Sequence, residues 1–320
     1  MKLKLYLAVL PILSLLFFSC SDKNDQPENP LPVQAEIVKN FNQFDSNFDG
    51  FAYFDVKAMS AKPEFDEFAK TVDMNYREKL KNSKRDLFQL LKAVDFDPLK
   101  DAESYSVALY SGELKNEFAV SVTGNFDIEH WKKTMRDSGW SNSKLSGSNL
   151  WMTDVNNQYY FRFSDSKTLI LTTNPSLIKE NSKSSEKVQT FLDSRFADLT
   201  LRNQGVFYFS VPKNINKKMF KMDGNKGLKF EMDKPPREIK GIFYLNDGAK
   251  LRSEVSFQDE DGLFASSQLI KILLGFQSMK SFFNNETSLM DFMDIDRKDS
   301  TMTVTIDIPQ DKILKLADKR

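Results

Sequence analysis

Two short segments of the chain share one pattern of aromatic and aliphatic residues. Gly50–Lys57 and Gly205–Lys213 both fit Gly-x-x-Tyr-Phe-x-Val and lie 155 residues apart. Aromatic and β-branched residues are enriched in β-strands, and a glycine commonly marks a strand boundary. Each segment therefore predicts a strand, and their similarity indicates an internal repeat.

The residues after the first of these strands switch between helical and strand periodicity. Apolar residues recur every three or four positions and predict helices over Pro63–Val72 and Tyr76–Val94. A further helix, ended by Gly139, and five strands are predicted before residue 173. They are the helix Asp127–Asp137 and the strands Tyr105–Tyr110, Glu117–Thr123, Leu150–Thr153, Gln158–Phe163 and Thr168–Thr172.

The second half of the chain repeats much of this order. Strands over Glu238–Leu245 and Lys250–Phe257 flank Asn246-Asp247-Gly248, where Asp-Gly supplies the positive φ angles of a tight turn. The remaining predicted elements are a helix over Leu263–Phe283, a strand over Thr301–Ile308 and a helix over Asp311–Asp318. We therefore expect an α+β fold of two related β-α-β-β-α-β halves, residues 46–200 and 201–320, with antiparallel sheets and helices packed on a face.

The N-terminus has the pattern of a signal peptide. Lys2 and Lys4 precede an apolar stretch of 14 residues, Leu5–Phe18, which ends just before Ser19. Such a stretch is too short for a typical transmembrane helix of about 20 residues, but it fits the apolar region of a signal peptide. We expect residues 1–19 to be removed from the mature protein.

The end of this segment resembles the lipobox of bacterial lipoproteins of the Bacteroidota type. In Leu16-Phe17-Phe18-Ser19-Cys20 a small residue precedes the cysteine. The resemblance implies that Cys20 is acylated with fatty acids such as palmitate and becomes the mature N-terminus. The alternative is an ordinary signal peptide cleaved near Ser19, which would leave Cys20 as a free thiol in an oxidising compartment.

A polar segment follows the cysteine. Residues 20–34 are rich in Pro, Asn, Asp and Glu, so we expect the acylated Cys20 to be followed by a disordered tether. The acidic residues Asp22, Asp25 and Glu28 resemble the signal that exports some of these lipoproteins to the cell surface. We expect the protein in the cell envelope, at the outer membrane, on either its periplasmic or its surface side.

Composition excludes several classes of function. The chain has 45 basic and 45 acidic residues, one His and one Cys. Nucleic-acid binding requires a cluster of excess cations, and structural zinc sites require several Cys or His residues. We therefore predict no nucleic-acid partner and no cofactor.

Three groups of residues are candidates for metal binding or catalysis. Asp45, Asn47 and Asp49 precede Gly50 as in the first half of an EF-hand loop, but Val56 occupies the position of the bidentate Glu. The other candidates are His130, at the start of a helix, and an acidic group before the last strand, Asp291, Asp294, Asp296 and Asp299. We expect a polar turn at Asp45, an exposed or boundary histidine, and a charged connection before the last strand. We predict no catalytic residue and no metal site, with Asp45, Asn47 and Asp49 as weak metal candidates.

The loop Lys213–Arg237 is the predicted binding surface. Lysines alternate there with methionine and phenylalanine, and the residues at its centre are Lys217, Lys218, Met219, Phe220, Lys221 and Met222. Flexible apolar side chains between cations suit an acidic partner or lipid headgroups. A solvated loop between strands is the alternative.

The body as a whole resembles uncharacterised bacterial lipoproteins with a duplicated α+β fold, which brings no known active site. We expect a non-enzymatic lipoprotein, attached to the membrane through its lipid, that binds an envelope protein or another ligand. The alternative is an envelope hydrolase that uses a pair of carboxylates, because such pairs leave little trace in sequence.

Overall fold

The structure is a computed structural model that describes most of residues 32–179, residue 188 and six shorter stretches of the C-terminal half. The described residues are 32–62, 65–82, 86–111, 116–145, 148–152, 159–179, 188, 205–210, 222–223, 229–230, 236–245, 248–260 and 292–312. Those up to Gly205 belong to one compact unit and those from Val206 onward to a second. Twelve of the strands form antiparallel sheet, seven in the first unit and five in the second.

The first unit contains five α-helices and seven strands. The helices are α1 Pro32–Phe41, α2 Val56–Ser60, α3 Phe65–Asn82, α4 Asp86–Ala93 and α5 Ile128–Asp137. The strands are β1 Gly50–Asp55, β2 Ala102–Ser111, β3 Asn116–Gly124, β4 Ser141–Leu145, β5 Ser148–Met152, β6 Tyr160–Phe163 and β7 Thr168–Thr172. A 3-10 turn, Pro175–Leu177, follows β7.

Strand β2 lies inside the sheet of the first unit, whose order is β1-β2-β3-β7-β6-β5-β4. All neighbouring strands are antiparallel, and one row across the sheet joins Tyr53, Ser106, Ser121 and Ile170. All four of these residues are fully buried. This face of the sheet is therefore covered, although Ser106 and Ser121 are polar.

Aromatic packing attaches α1 to this covered face. The ring of Phe41 lies 5.2 Å from that of Phe51 and 5.6 Å from that of Phe44, both edge-to-face, with interplanar angles of 66° and 83°. Phe48 contacts the same group. Edge-to-face contacts of buried rings add about 0.5–1.5 kcal/mol each beyond the area they bury. These rings therefore hold α1 and the α1–β1 connection against the sheet.

Helix α5 packs on the other face of the sheet. Its Trp131 ring lies 6.3 Å from that of Phe161 and 6.2 Å from that of Phe163, two residues of β6. The carboxylate of Asp127 accepts a hydrogen bond from the backbone N–H of His130 and so caps the first turn. After the helix, Gly139 adopts a φ of +80°, a left-handed conformation that ends helices.

The second unit is described mainly through its strands. They are β8 Gly205–Ser210, β11 Glu238–Leu245, β12 Gly248–Ser256, β13 Met293–Lys298 and β14 Thr301–Pro309, in the order β8-β11-β12-β14-β13. A separate pair of two-residue strands consists of β9 Met222–Asp223 and β10 Lys229–Phe230. One apolar cluster is built around the buried side chains of Phe257 and Met302.

Several sequence predictions differ from this structure at their ends. The disordered tether was expected to reach residue 34, but α1 begins at Pro32. The strand expected over Gly50–Lys57 stops at Asp55, because the Asp55 carboxylate accepts a hydrogen bond from the N–H of Ala58 and begins α2. The helices predicted over 63–72 and 76–94 are instead α3 and α4.

Four strands were not predicted: β4, β13 and the two-residue strands β9 and β10. The predicted helix Leu263–Phe283 lies outside the described residues, as does most of the predicted helix Asp311–Asp318. The antiparallel sheet with helices agrees with the expected fold class.

Substitution of Gly124, at the end of β3, tests the close packing of β3 against the backbone of Asp101 and Ala102. A Cβ atom there would overlap the backbone oxygen of Asp101 and lie 3.0 Å from the Cα of Ala102. We expect Gly124→Ala to lower the free energy of unfolding by more than about 3 kcal/mol, because neither neighbour is a side chain that can move aside. Chemical denaturation of the purified protein measures this loss.

Gly139→Ala is the matched control. No atom lies within 4 Å of the added Cβ, and only the positive φ opposes the substitution. Its expected cost is about 1–2 kcal/mol. A Gly124 variant no less stable than the Gly139 variant would contradict the close approach of β3 to the Asp101 segment.

Candidate functional site

The predicted lipidation and binding residues lie mainly outside the described part of the chain. This holds for Cys20 and for the residues from Lys217 to Lys221. Met222 is described and pairs with Phe230, while Asp223 pairs with Lys229, in an antiparallel ribbon. The segment predicted as a loop therefore contains regular backbone pairing.

The structure places Asp45 in a turn that joins α1 to β1. One carboxylate oxygen accepts a hydrogen bond of 2.9 Å from the N–H of Asn47, and the other lies 3.8 Å from Lys179 Nζ. The backbone oxygen of Asp45 accepts a bond of 2.9 Å from the Tyr110 hydroxyl. Burial, and then the nearby Asp45 charge, raise the pKa of the Tyr110 hydroxyl.

Backbone contacts connect this turn to strand β2 and to the 3-10 turn that follows β7. The N–H of Asp45 donates to Leu177 O, just after β7, and the N–H of Asp49 donates to Leu109 O in β2, both at 2.8 Å. The polar pattern before Gly50 therefore makes a turn with an ion pair. Among the described residues, no three His, Cys, Asp or Glu side chains come together in a group suited to a metal ion.

The acidic residues near the last strand lie on a strand rather than in a connection. Asp294 and Asp296 are exposed residues of β13, opposite Thr305 and Thr303 of β14. Asp299 has a φ of +53° in the turn between the two strands. Asp291 lies outside the described residues. His130 is exposed in the first turn of α5, as the sequence indicated.

A charged cluster on the sheet of the second unit was not predicted. Lys240 Nζ lies 3.5 Å from carboxylate oxygens of both Glu238 and Glu254, and these side chains are one-fifth to one-third exposed. Glu254 of β12 is directly opposite Lys240 of β11. Arg252 Nη2 lies 3.9 Å from a carboxylate oxygen of Glu254. Alternating charges on two strands of one hairpin were the available signal, but their register was needed to show that the charges meet.

Tyr208 of β8 extends this cluster. Its hydroxyl lies 3.5 Å from a carboxylate oxygen of Glu238. Burial, followed by the Glu238 charge, raises the pKa of the Tyr208 hydroxyl. The cluster thus holds its phenol in the neutral form and its carboxylates beside cations, an arrangement that suits a structural or binding role better than proton transfer.

A second unpredicted group organises the connection from α4 to β2. Asp97 accepts a 3.0 Å hydrogen bond from the N–H of Leu99, and its other oxygen lies 3.0 Å from Lys100 Nζ. Its own N–H donates to the carboxylate of Asp101 at 2.7 Å. Burial alone would raise the pKa of the Asp97 carboxyl, but the bonds from Lys100 and Leu99 outweigh it and lower that pKa.

Two phenols cover the same connection. The hydroxyls of Tyr76 and Tyr105 donate to the backbone oxygens of Phe96 and Pro98, at 2.8 and 2.7 Å. Burial is the main cause that raises both phenol pKa values. Five consecutive positions, 96 to 100, are thus held by side-chain bonds, a density that marks a rigid loop.

The lowered pKa of Asp97 predicts a pH-dependent contribution to stability. The charged carboxylate stabilises the fold above its unfolded pKa of 3.8, and this contribution disappears as the pH falls through the lower folded value. We expect Asp97→Asn to cost on the order of 1 kcal/mol near neutral pH, with the difference from the wild type shrinking below about pH 4. Urea unfolding at a series of pH values measures it.

Asp95→Asn is the control, because it removes the same charge from an exposed side chain two residues away. Equal losses for both variants at every pH would contradict a specific role of the Asp97 bonds.

No helix in the described part of the chain is long and apolar enough to cross a membrane.

Comparison with known protein families and with curated proteins finds no match. Two solved structures of TP0453 are similar to this chain. Crystal form I is 12% identical with a TM-score of 0.45, covering 91% of this chain and 97% of that one. Crystal form IV is 13% identical with a TM-score of 0.44, covering 89% and 98%. At TM-scores this low the similarity carries no argument about this protein.

Proposed function

We propose that this protein is a lipoprotein of the cell envelope, acylated at Cys20, whose body is a non-enzymatic module that binds a protein or another ligand. The observation that carries the proposal is the order of the first twenty residues. These residues follow the order of features in a lipoprotein signal: two lysines, then a 14-residue apolar stretch, then Ser19 directly before the only cysteine of the chain.

The physical consequence is a folded body held near a membrane. Each buried methylene of an acyl chain contributes about 0.8 kcal/mol, so two or more chains give stable attachment. Eleven residues, 21–31, separate Cys20 from the start of α1. Fully extended, they reach at most about 36–40 Å. The body can therefore contact the membrane surface or a partner close to it.

We also propose that the two halves of the body arose by duplication. β1 and β8 carry the shared Gly-x-x-Tyr-Phe pattern. Apart from the separate β9–β10 pair, the next two strands of each half follow in the same order, β1-β2-β3 and β8-β11-β12. The common sequence therefore begins a common arrangement of strands in each unit.

Acylation is tested by Cys20→Ala. We expect the wild type to incorporate a palmitate analogue and to stay with the membrane fraction after a high-salt wash. The variant should lose the label and most of its membrane association, because the thiol that receives the lipid is gone. Ser19→Ala is the control, since alanine keeps a small residue before the cysteine. Equal labelling of the Cys20 variant and the wild type would sink the proposal.

The binding role is tested by crosslinking in cells that produce the wild-type lipoprotein, followed by identification of the captured molecules. We expect one envelope component to be recovered repeatedly, in proportion to expression. Turnover of a glycan or peptide panel by the purified protein, with no specific partner recovered, would instead favour a carboxylate hydrolase.

A further inference from the structure

Helix α1 crosses one face of the sheet of the first unit. Its Phe41 ring packs on Phe51 of β1. Its Lys39 Nζ lies 3.9 Å from a carboxylate oxygen of Asp165, in the turn between β6 and β7. The strands lie in the order β1-β2-β3-β7-β6, so a helix held at both places passes over β2, β3 and β7.

The contact between α1 and the sheet contains buried polar groups on both sides. Asn40 is 2% exposed and, at a spacing of four residues, shares a helix face with the buried Phe44. Ser106 of β2 is directly opposite Ser121 of β3, on the sheet face that carries Phe51, and both serines are fully buried. Among the described residues, neither Asn40 Nδ2 nor either serine hydroxyl has a hydrogen-bond partner. We call Asn40, Ser106 and Ser121 the polar seam.

The polar seam opposes the packing of α1. A polar group that is buried without a partner has lost its hydrogen bonds to water and gained none in return. Separation of the helix from the sheet would return the amide and both hydroxyls to water. The aromatic contacts of Phe41 favour the closed position, but the seam offsets part of what they contribute.

Helix α5, on the other face of the sheet, gives a direct comparison. Both helices have ten residues, which is too short for a stable isolated helix, so each depends on its packing. The first turn of α5 is capped by Asp127, and its Trp131 packs among aromatic rings. The first turn of α1 has no acidic residue. The Lys39–Asp165 pair joins side chains that are 71% and 47% exposed, and such pairs contribute little.

We propose that α1 is a releasable strap, which opens from the sheet while the rest of the first unit stays folded. Because α1 directly follows the tether, its release would lengthen that tether. Its ten residues reach about 33–36 Å when extended, which roughly doubles the reach of the tether. The use of this added reach at a membrane rests on the proposed lipid anchor, whereas the opening of α1 does not.

Hydrogen exchange of the purified full-length protein, followed by mass spectrometry, tests the opening. We expect the amides of α1 to exchange at least about tenfold faster than those of α5, because local opening needs less free energy than unfolding of the unit. Low, non-denaturing concentrations of urea should accelerate the exchange of α5 more than that of α1, since local opening exposes little surface. Both helices are followed in one molecule, so acylation of Cys20 does not affect the comparison.

Matched variants assign the opening to the polar seam. Ser106→Ala with Ser121→Ala removes both unpaired hydroxyls and should slow the exchange of α1 about tenfold. Asn40→Leu acts from the helix side and should slow it by more than the roughly twofold that the higher helix propensity of leucine provides. Ser253→Ala is the control, because Ser253 is also buried but its hydroxyl donates to Lys240 O at 3.1 Å. The exchange of α1 should be unchanged in that variant.

The outcomes separate a strap from an ordinary packed helix. Slower exchange of α1 in either seam variant, without slowing in the Ser253 variant, supports the proposal. Exchange of α1 at the rate of α5, or with the same dependence on urea, would show that α1 opens only with the whole unit and would overturn it. Unchanged or faster exchange in both seam variants would also overturn it, because the seam would then hold α1 closed.

Discussion

The hydrogen bonding of β2 on both edges is the constraint on which the first unit depends. β1 and β3 pair with it along most of its length, so Ser106 is opposite both Tyr53 and Ser121. A shift of one residue would turn every side chain of the strand to the other face. Helix α1 packs through Phe41 onto Phe51, and both α1 and α2 contact β2. The register of β2 thus determines which side chains of the sheet α1 and α2 contact.

Charged side chains in the described regions act mainly as parts of connections and sheet surfaces. The Asp45 carboxylate completes a turn and approaches Lys179, and Asp97 bonds to the loop that begins β2. Lys240 lies between two glutamates on neighbouring positions of a hairpin. Partly exposed ion pairs contribute about 0–1 kcal/mol each, so their effect is to select a geometry more than to add stability. Charged residues that resemble a metal or catalytic site in the sequence can therefore serve to stabilise turns and strand pairing instead.

The proposed functional features belong to segments other than these connections. The lipid signal precedes the folded body, and the Lys-rich segment lies between β8 and β11. The lipid signal would act at a membrane surface through acyl chains, whereas the Lys-rich segment is the predicted binding surface. A protein attached in this way would hold its body close to the bilayer, within reach of a ligand or partner in the envelope.

The sequence alone determined the elements that local interactions specify. Gly50–Lys57 predicted β1 because its residues favour strands intrinsically. Asn246-Asp247-Gly248 predicted a hairpin because Asp-Gly supplies positive φ angles, and Gly248 has a φ of +135° in the structure. Tertiary structure decided the rest. The polar segments Ser141–Leu145 and Met293–Lys298 form β4 and β13 because β5 and β14 supply their hydrogen-bond partners. The local sequence of these two segments does not indicate that such partners are present. Ser106 and Ser121 are polar but buried, because burial is set by what packs over a strand, and that partner comes from elsewhere in the chain.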